Sequence, residues 1–173
     1  MLGLTAARST LNPATAFIPN DDKLTPVEGL FRALERYWSP INPSVRELGS
    51  KHTKTLNDLL DKIRMNESLY ALGRQLFPTE SFRPTAKPRD PEAEYFFCMT
   101  LLQLVEDIYV DFQLDRGDKW VCDPRIGGWI QLFKTWSNSD SVPAMARTWA
   151  AVSRTFRQDF QHFWSGLSKR ECE

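Results

Sequence analysis

The sequence predicts an all-α fold: a single-domain, irregular bundle of about five to six helices around a central hydrophobic helix at about residues 91–114. Three observations carry this. Apolar residues recur every three or four positions in each long segment, and no segment alternates apolar and polar residues as a half-buried strand would. Thr-Pro, Asn-Pro and Asp-Pro pairs stand where those segments begin, as they do at helix starts.

Residues 1–23 are expected to be a flexible lead-in, since the first twenty hold one basic residue and no apolar run long enough for a secretory signal. Residues 24–170 make up the helical domain. Its first helix opens on a capping box, with Thr25 as N-cap, Pro26 at the first helical position and Glu28 closing the box. Val27, Leu30, Phe31, Leu34 and Tyr37 or Trp38 then share a face until Ser39-Pro40 stops the run. Asn42-Pro43 starts the next helix, in which Val45, Leu48, His52, Leu56, Leu59, Leu60 and Ile63 line one side. The pattern resumes through Leu69, Leu72, Gly73, Leu76 and Phe77, and a break is expected near Asn66, a good capping residue.

Pro78, Pro84, Pro88 and Pro91 forbid a continuous helix, so residues 78–91 read as a proline-rich surface loop. Asp90-Pro91-Glu92 opens the central helix. Apolar residues from Tyr95 to Leu114 surround this helix instead of striping it, which implies packing on every side, and Gly117 is placed to end it. From Arg125 the helical period returns with Ile126, Trp129, Ile130, Phe133 and Trp136. Ser141 is positioned to cap one last helix, whose seam is Met145, Trp149, Val152, Phe156, Phe160, Phe163 and Leu167.

Lys plus Arg equals Asp plus Glu at 22 each, so no net positive field exists to attract nucleic acid. The longest apolar-rich run, at 95–105, is far shorter than the ~20 residues a bilayer span needs, and no transmembrane helix is expected. Cys98, Cys122 and Cys172 are odd in number and widely spaced, which fits a reducing compartment, the cytoplasm by default.

The charges are segregated along the chain. From Asp90 to Asp123 there are nine acids against two bases, and from Arg125 to Arg170 seven bases against two acids. Asp107 and Asp111, four apart on one helix face beside Glu106, repel one another unless a positive group stands opposite. Arg147, Arg154 and Arg157 of the last helix are the expected partners. The alternative is an enzyme with Glu106, Asp107 and Asp111 as a carboxylate metal site, although the Glu-x-x-His pairs of helical dinuclear centres are missing. His52 and His162 read as core or boundary residues, and nothing local activates Cys122 as a nucleophile. Phosphate-binding loops, nucleophile elbows and zinc-protease helices are all absent from the sequence, so no catalytic residue, metal or cofactor is assigned.

Plentiful aromatic residues without catalytic signatures point to a non-catalytic helical protein–protein interaction module, or a small subunit of an assembly. The contact residues expected are Trp38, Trp120, Phe163 and Trp164, with Tyr37 a weaker member and Trp164 projecting outward. Self-association is left open. A third reading is peripheral membrane attachment through the basic, aromatic C-terminal helix.

Overall fold

The computed structural model describes residues 43–84, 86–115, 123 and 126–169. Residues 1–23, the expected helix from Thr25 with Tyr37 and Trp38, and Gly117, Trp120, Cys122, Arg125 and Cys172 lie outside the described residues. The chain folds into six α-helices in the described part, with no strand among those residues. They are α1 (Pro43–Met65), α2 (Tyr70–Leu76), α3 (Pro91–Asp111), α4 (Gly127–Ser137), α5 (Pro143–Val152) and α6 (Gln158–Gly166).

Helix α1 buries His52, Leu56, Leu59, Leu60 and Ile63, the face its spacing predicts. It ends at Met65, where Asn66 accepts hydrogen bonds from the Ser68 backbone N–H at 3.2 Å and the Ser68 hydroxyl at 2.9 Å. That cap starts a 3-10 turn, Glu67–Leu69, which leads into α2. The corner between α1 and α2 is tight at Gly73, where an added Cβ would lie 2.8 Å from Ile63 Cγ2 and 2.9 Å from Phe82 Cζ. Glycine is thus needed there for room and not for backbone freedom.

Asp90 caps α3 as its sequence predicts, its carboxylate accepting from the N–H groups of Glu92 and Ala93 at 3.1 and 3.0 Å. Helix α3 is the central element, packed against α1 on one side and α5 on another. Phe97, Cys98, Leu101, Leu102, Leu104, Val105, Ile108 and Tyr109 are buried. The enclosure is incomplete, however. Glu92, Phe96, Thr100, Gln103, Asp107 and Val110 form an exposed strip along the helix. The helix also ends earlier than expected. Gln113 adopts a left-handed backbone (φ 53°), Leu114 N–H donates to the Tyr109 carbonyl at 3.0 Å, and Gln113 N–H donates to the Val110 carbonyl at 3.1 Å. This is a Schellman stop in which glutamine stands where glycine is usual, closed by the buried pair Tyr109 and Leu114.

Helix α4 buries Trp129, Ile130, Phe133 and Trp136. The Trp136 indole N–H donates to the Leu76 carbonyl at 3.1 Å, satisfying a carbonyl at the C-terminal end of α2 that the helix itself leaves free.

The expected single last helix is two helices. Ser141 is not its cap: Val142 is the N-cap with no side-chain bond, Pro143 follows, and Asn138 closes the preceding turn by accepting from the N–H groups of Asp140 and Ser141. Helix α5 gives way to a 3-10 turn, Ser153–Thr155, where the Thr155 hydroxyl donates to the Val152 carbonyl at 2.7 Å. Phe156 is extended (φ −88°, ψ 159°), and α6 begins at Gln158. In a straight helix Trp149 and Trp164 would stand ~22 Å apart at 1.5 Å per residue. Their ring centroids are 5.6 Å apart, so α5 and α6 fold back on one another. The reversal gathers Trp149, Phe156, Phe160 and Trp164 into one cluster, which Tyr109 of α3 joins through Phe160 and Phe163 at 5.5 and 4.9 Å.

Candidate functional site

The acidic end of α3 concentrates carboxylates on the central helix. Asp107 and Asp111 lie at the negative end of the helix dipole, and the last turn of α3 has no base of its own. The compensation comes from α1. His52 Nε2 lies 2.8 Å from Asp111 Oδ2, and Lys51 Nζ lies 3.4 Å from the same oxygen. Arg147, Arg154 and Arg157, the partners expected from sequence, are not the ones that neutralise Asp111. Arg157 instead holds Asp159, two residues away, at 2.7 Å.

His52 is 1% exposed, as a core histidine should be. Burial lowers its pKa below the ordinary value, with the bond to Asp111 opposing the shift. A carboxylate only accepts, so the neutral ring must carry its proton on Nε2 and donate it to Asp111. Phe112 covers the ring, its centroid 6.2 Å away. His162, read from sequence as a second boundary histidine, is instead exposed on α6.

This constellation is suited to joining two helices. The one histidine nitrogen seen bonded points at a carboxylate already held by Lys51, and Gln103 Nε2 donates at 3.2 Å to both Glu106 and Asp107. Among the described residues, no group of three His, Cys, Asp or Glu side chains is arranged to hold a metal ion.

A second buried charge escaped the sequence reading. Glu94, on the first turn of α3, is 2% exposed, and Arg89 grips both its oxygens at 2.7 and 2.6 Å. The fork-to-fork geometry raises the Arg89 pKa and anchors the proline-rich loop to the start of the central helix. The signal was present in Arg89-Asp90-Pro91-Glu92-Ala93-Glu94, but the helical position of Glu94 only reveals its burial once α5 is packed beside it. One turn further along, Cys98 lies against Thr148 of α5, and burial pushes its thiol up to about 12.

The predicted contact aromatics stand differently. Phe163 and Trp164 are 4% and 3% exposed, within the aromatic cluster, so Trp164 does not project outward. The physical reason is the reversal at Phe156, which turns the aromatic sides of α5 and α6 toward each other and toward α3. A membrane-surface helix would need that aromatic face outside, and Arg147, Arg154, Arg157 and Lys169 are exposed without it. No helix among the described residues is long and apolar enough to cross a membrane.

Among the described residues, the large apolar side chains left exposed are Phe96 and Val110, on the exposed strip of α3, together with Met65 at the end of α1. Phe96 is 58% exposed and Val110 44%. Scattered apolar residues are ordinary on any surface, but these two are separated by four helical turns on one helix, with Gln103 midway. No protein-family model, curated protein or solved structure matches this chain.

Proposed function

We propose that the protein is a non-catalytic interaction module whose contact surface is the outer strip of α3: Phe96, Thr100, Gln103, Asp107 and Val110. The observation that carries this is the placement of two large exposed apolar residues on the element that otherwise forms the centre of the fold. Positions 96, 103 and 110 recur at sevens, the spacing by which one helix presents a continuous seam to another. Placing this seam on the central helix, packed against α1 and α5, gives a partner a rigid surface, which lowers the ordering cost of association. The aromatic residues of α5 and α6 serve that rigidity from inside. A cytoplasmic setting belongs to the same reading, supported by the odd cysteine count and by Cys98 as a free buried thiol.

A photoreactive phenylalanine analogue at position 103, compared with the same group at exposed His162 on α6, tests this. Cross-linked protein species from position 103 and none from 162 are expected. Equal capture from both positions, or none from 103, would remove the strip as a contact surface.

A further inference from the structure

We infer that α5 and α6 can straighten into one helix, which hands α6 to a second copy of the chain and receives that copy's α6 in return. The inference goes beyond the α3 strip and does not depend on it. It starts from the reversal at residues 153–157, where a segment with the apolar spacing of one helix folds back on itself.

The reversal lacks the residues that ordinarily enforce one. No proline or glycine occurs between Pro143 and Gly166. Ser153, just after α5, keeps helical backbone angles (φ −50°, ψ −35°), and Arg157, the N-cap of α6, makes no side-chain capping bond. Local bonds hold the turn. Phe156 N–H donates to the Ser153 carbonyl at 3.2 Å, the Thr155 hydroxyl to the Val152 carbonyl at 2.7 Å, and Gln161 Nε2 to the Phe156 carbonyl at 2.9 Å. A continuous helix replaces these with main-chain bonds from residues 157–159 to the carbonyls of 153–155, so straightening leaves the backbone of the hinge satisfied.

The core requires the second copy. Phe160, Phe163, Trp164 and Leu167 are buried, and the rings pack on Tyr109, Phe133 and Trp149. In a straight helix Trp149 and Trp164, now 5.6 Å apart, would be ~22 Å apart. Four large apolar side chains would face water, and the groove they left would stand open. One chain alone cannot repair both faults. Two chains can, because each offers the groove that the other's α6 fits. Every ring contact between α6 and the core is then remade between copies by the same residues. Since the core contacts match in the two forms, the balance between them is set by the hinge and by concentration. Exchange requires α6 to leave its groove, so the forms interconvert slowly.

Position 157 provides a variant that separates the two forms. Arg157 has φ −59° and follows the extended Phe156 (φ −88°, ψ 159°), so the folded-back chain accommodates proline there. The Asp159 pair it gives up is exposed. In a straight helix the same proline removes a main-chain bond and clashes with the preceding turn.

The test is refolding of the full chain from urea at high protein concentration, followed by size-exclusion chromatography with light scattering. A dimer of twice the chain mass is expected, slow to dissociate on dilution. Ser153→Ala with Thr155→Ala should raise the dimer fraction, by favouring helix and removing the Thr155 bond. Arg157→Pro should be a folded monomer. In a dimer made from isotope-labelled and unlabelled chains, filtered NMR spectra should show Tyr109–Phe163 ring contacts between copies. Monomer alone from both the natural chain and the double alanine variant overturns the inference. So does a dimer whose Tyr109–Phe163 contacts stay within one chain, which is what association through the α3 strip would give, or a folded Arg157→Pro that dimerises as the natural chain does. Should Arg157→Pro fail to fold, the mixed-label dimer decides.

Discussion

Two residues show how far a side chain's role depends on what another element brings to it. Gln113 holds a left-handed backbone at the end of α3, a conformation that costs a non-glycine residue ~1 kcal/mol or more. Because its side chain is exposed, Gln113→Gly should raise stability by ~0.5–1 kcal/mol in urea unfolding, with no change in the amplitude of the helical signal. An unchanged or lower midpoint would mean the glutamine side chain contributes more than its position suggests. His52 makes a prediction of a different kind. Its folded pKa lies below the unfolded value of ~6.5, so the unfolded chain takes up the proton first as pH falls. The stability tied to neutral His52 is complete above pH ~6.5 and is lost as pH descends through the folded value. Urea midpoints measured downward from neutral pH should fall for the natural protein and fall less for His52→Gln; parallel curves would contradict the role given to burial.

At the scale of elements, the starts at Asn66 and Asp90 were legible, whereas the start at Val142 and the reversals were not. Asn66 and Asp90 cap where their chemistry predicts, because a cap is decided by residues two or three positions away. The apolar faces of α1 and α4 were readable for the same local reason. The break at Phe156 left no such trace: spacings of three and four from Met145 to Leu167 suit one straight helix and a folded pair equally well. The choice is made by ring contacts between residues as distant as Trp149 and Trp164. The clasp at the acidic end of α3 was hidden likewise, since His52 and Asp111 are 59 positions apart and Arg147 was an equally good partner on charge alone. The α1–α2 corner offers a direct check of element packing. Gly73→Val adds atoms where Ile63 and Phe82 already approach within contact distance. A loss of ~1–3 kcal/mol is expected from overpacking, and a neutral result would show that Phe82 yields without cost.

At the scale of the whole molecule, most aromatic side chains among the described residues are buried, and the large apolar side chains left exposed there are Met65, Phe96 and Val110. Trp129, Trp136, Phe133 and Phe160 are among the largest fully buried side chains, and Trp164 joins them at 3% exposure. Among the described residues, most of the rings that suggested an adhesive surface are instead the material of the core, and the contact surface proposed above is the outer side of α3. The proposed contact surface depends on this division into inside and outside. Chemical denaturation of Trp164→Ala beside Phe96→Glu tests it most directly. Trp164→Ala should lose ~3–5 kcal/mol, as truncating a buried tryptophan does, while Phe96→Glu should stay within ~0.5 kcal/mol of the natural protein. A stable Trp164→Ala together with an unfolded Phe96→Glu would contradict the account.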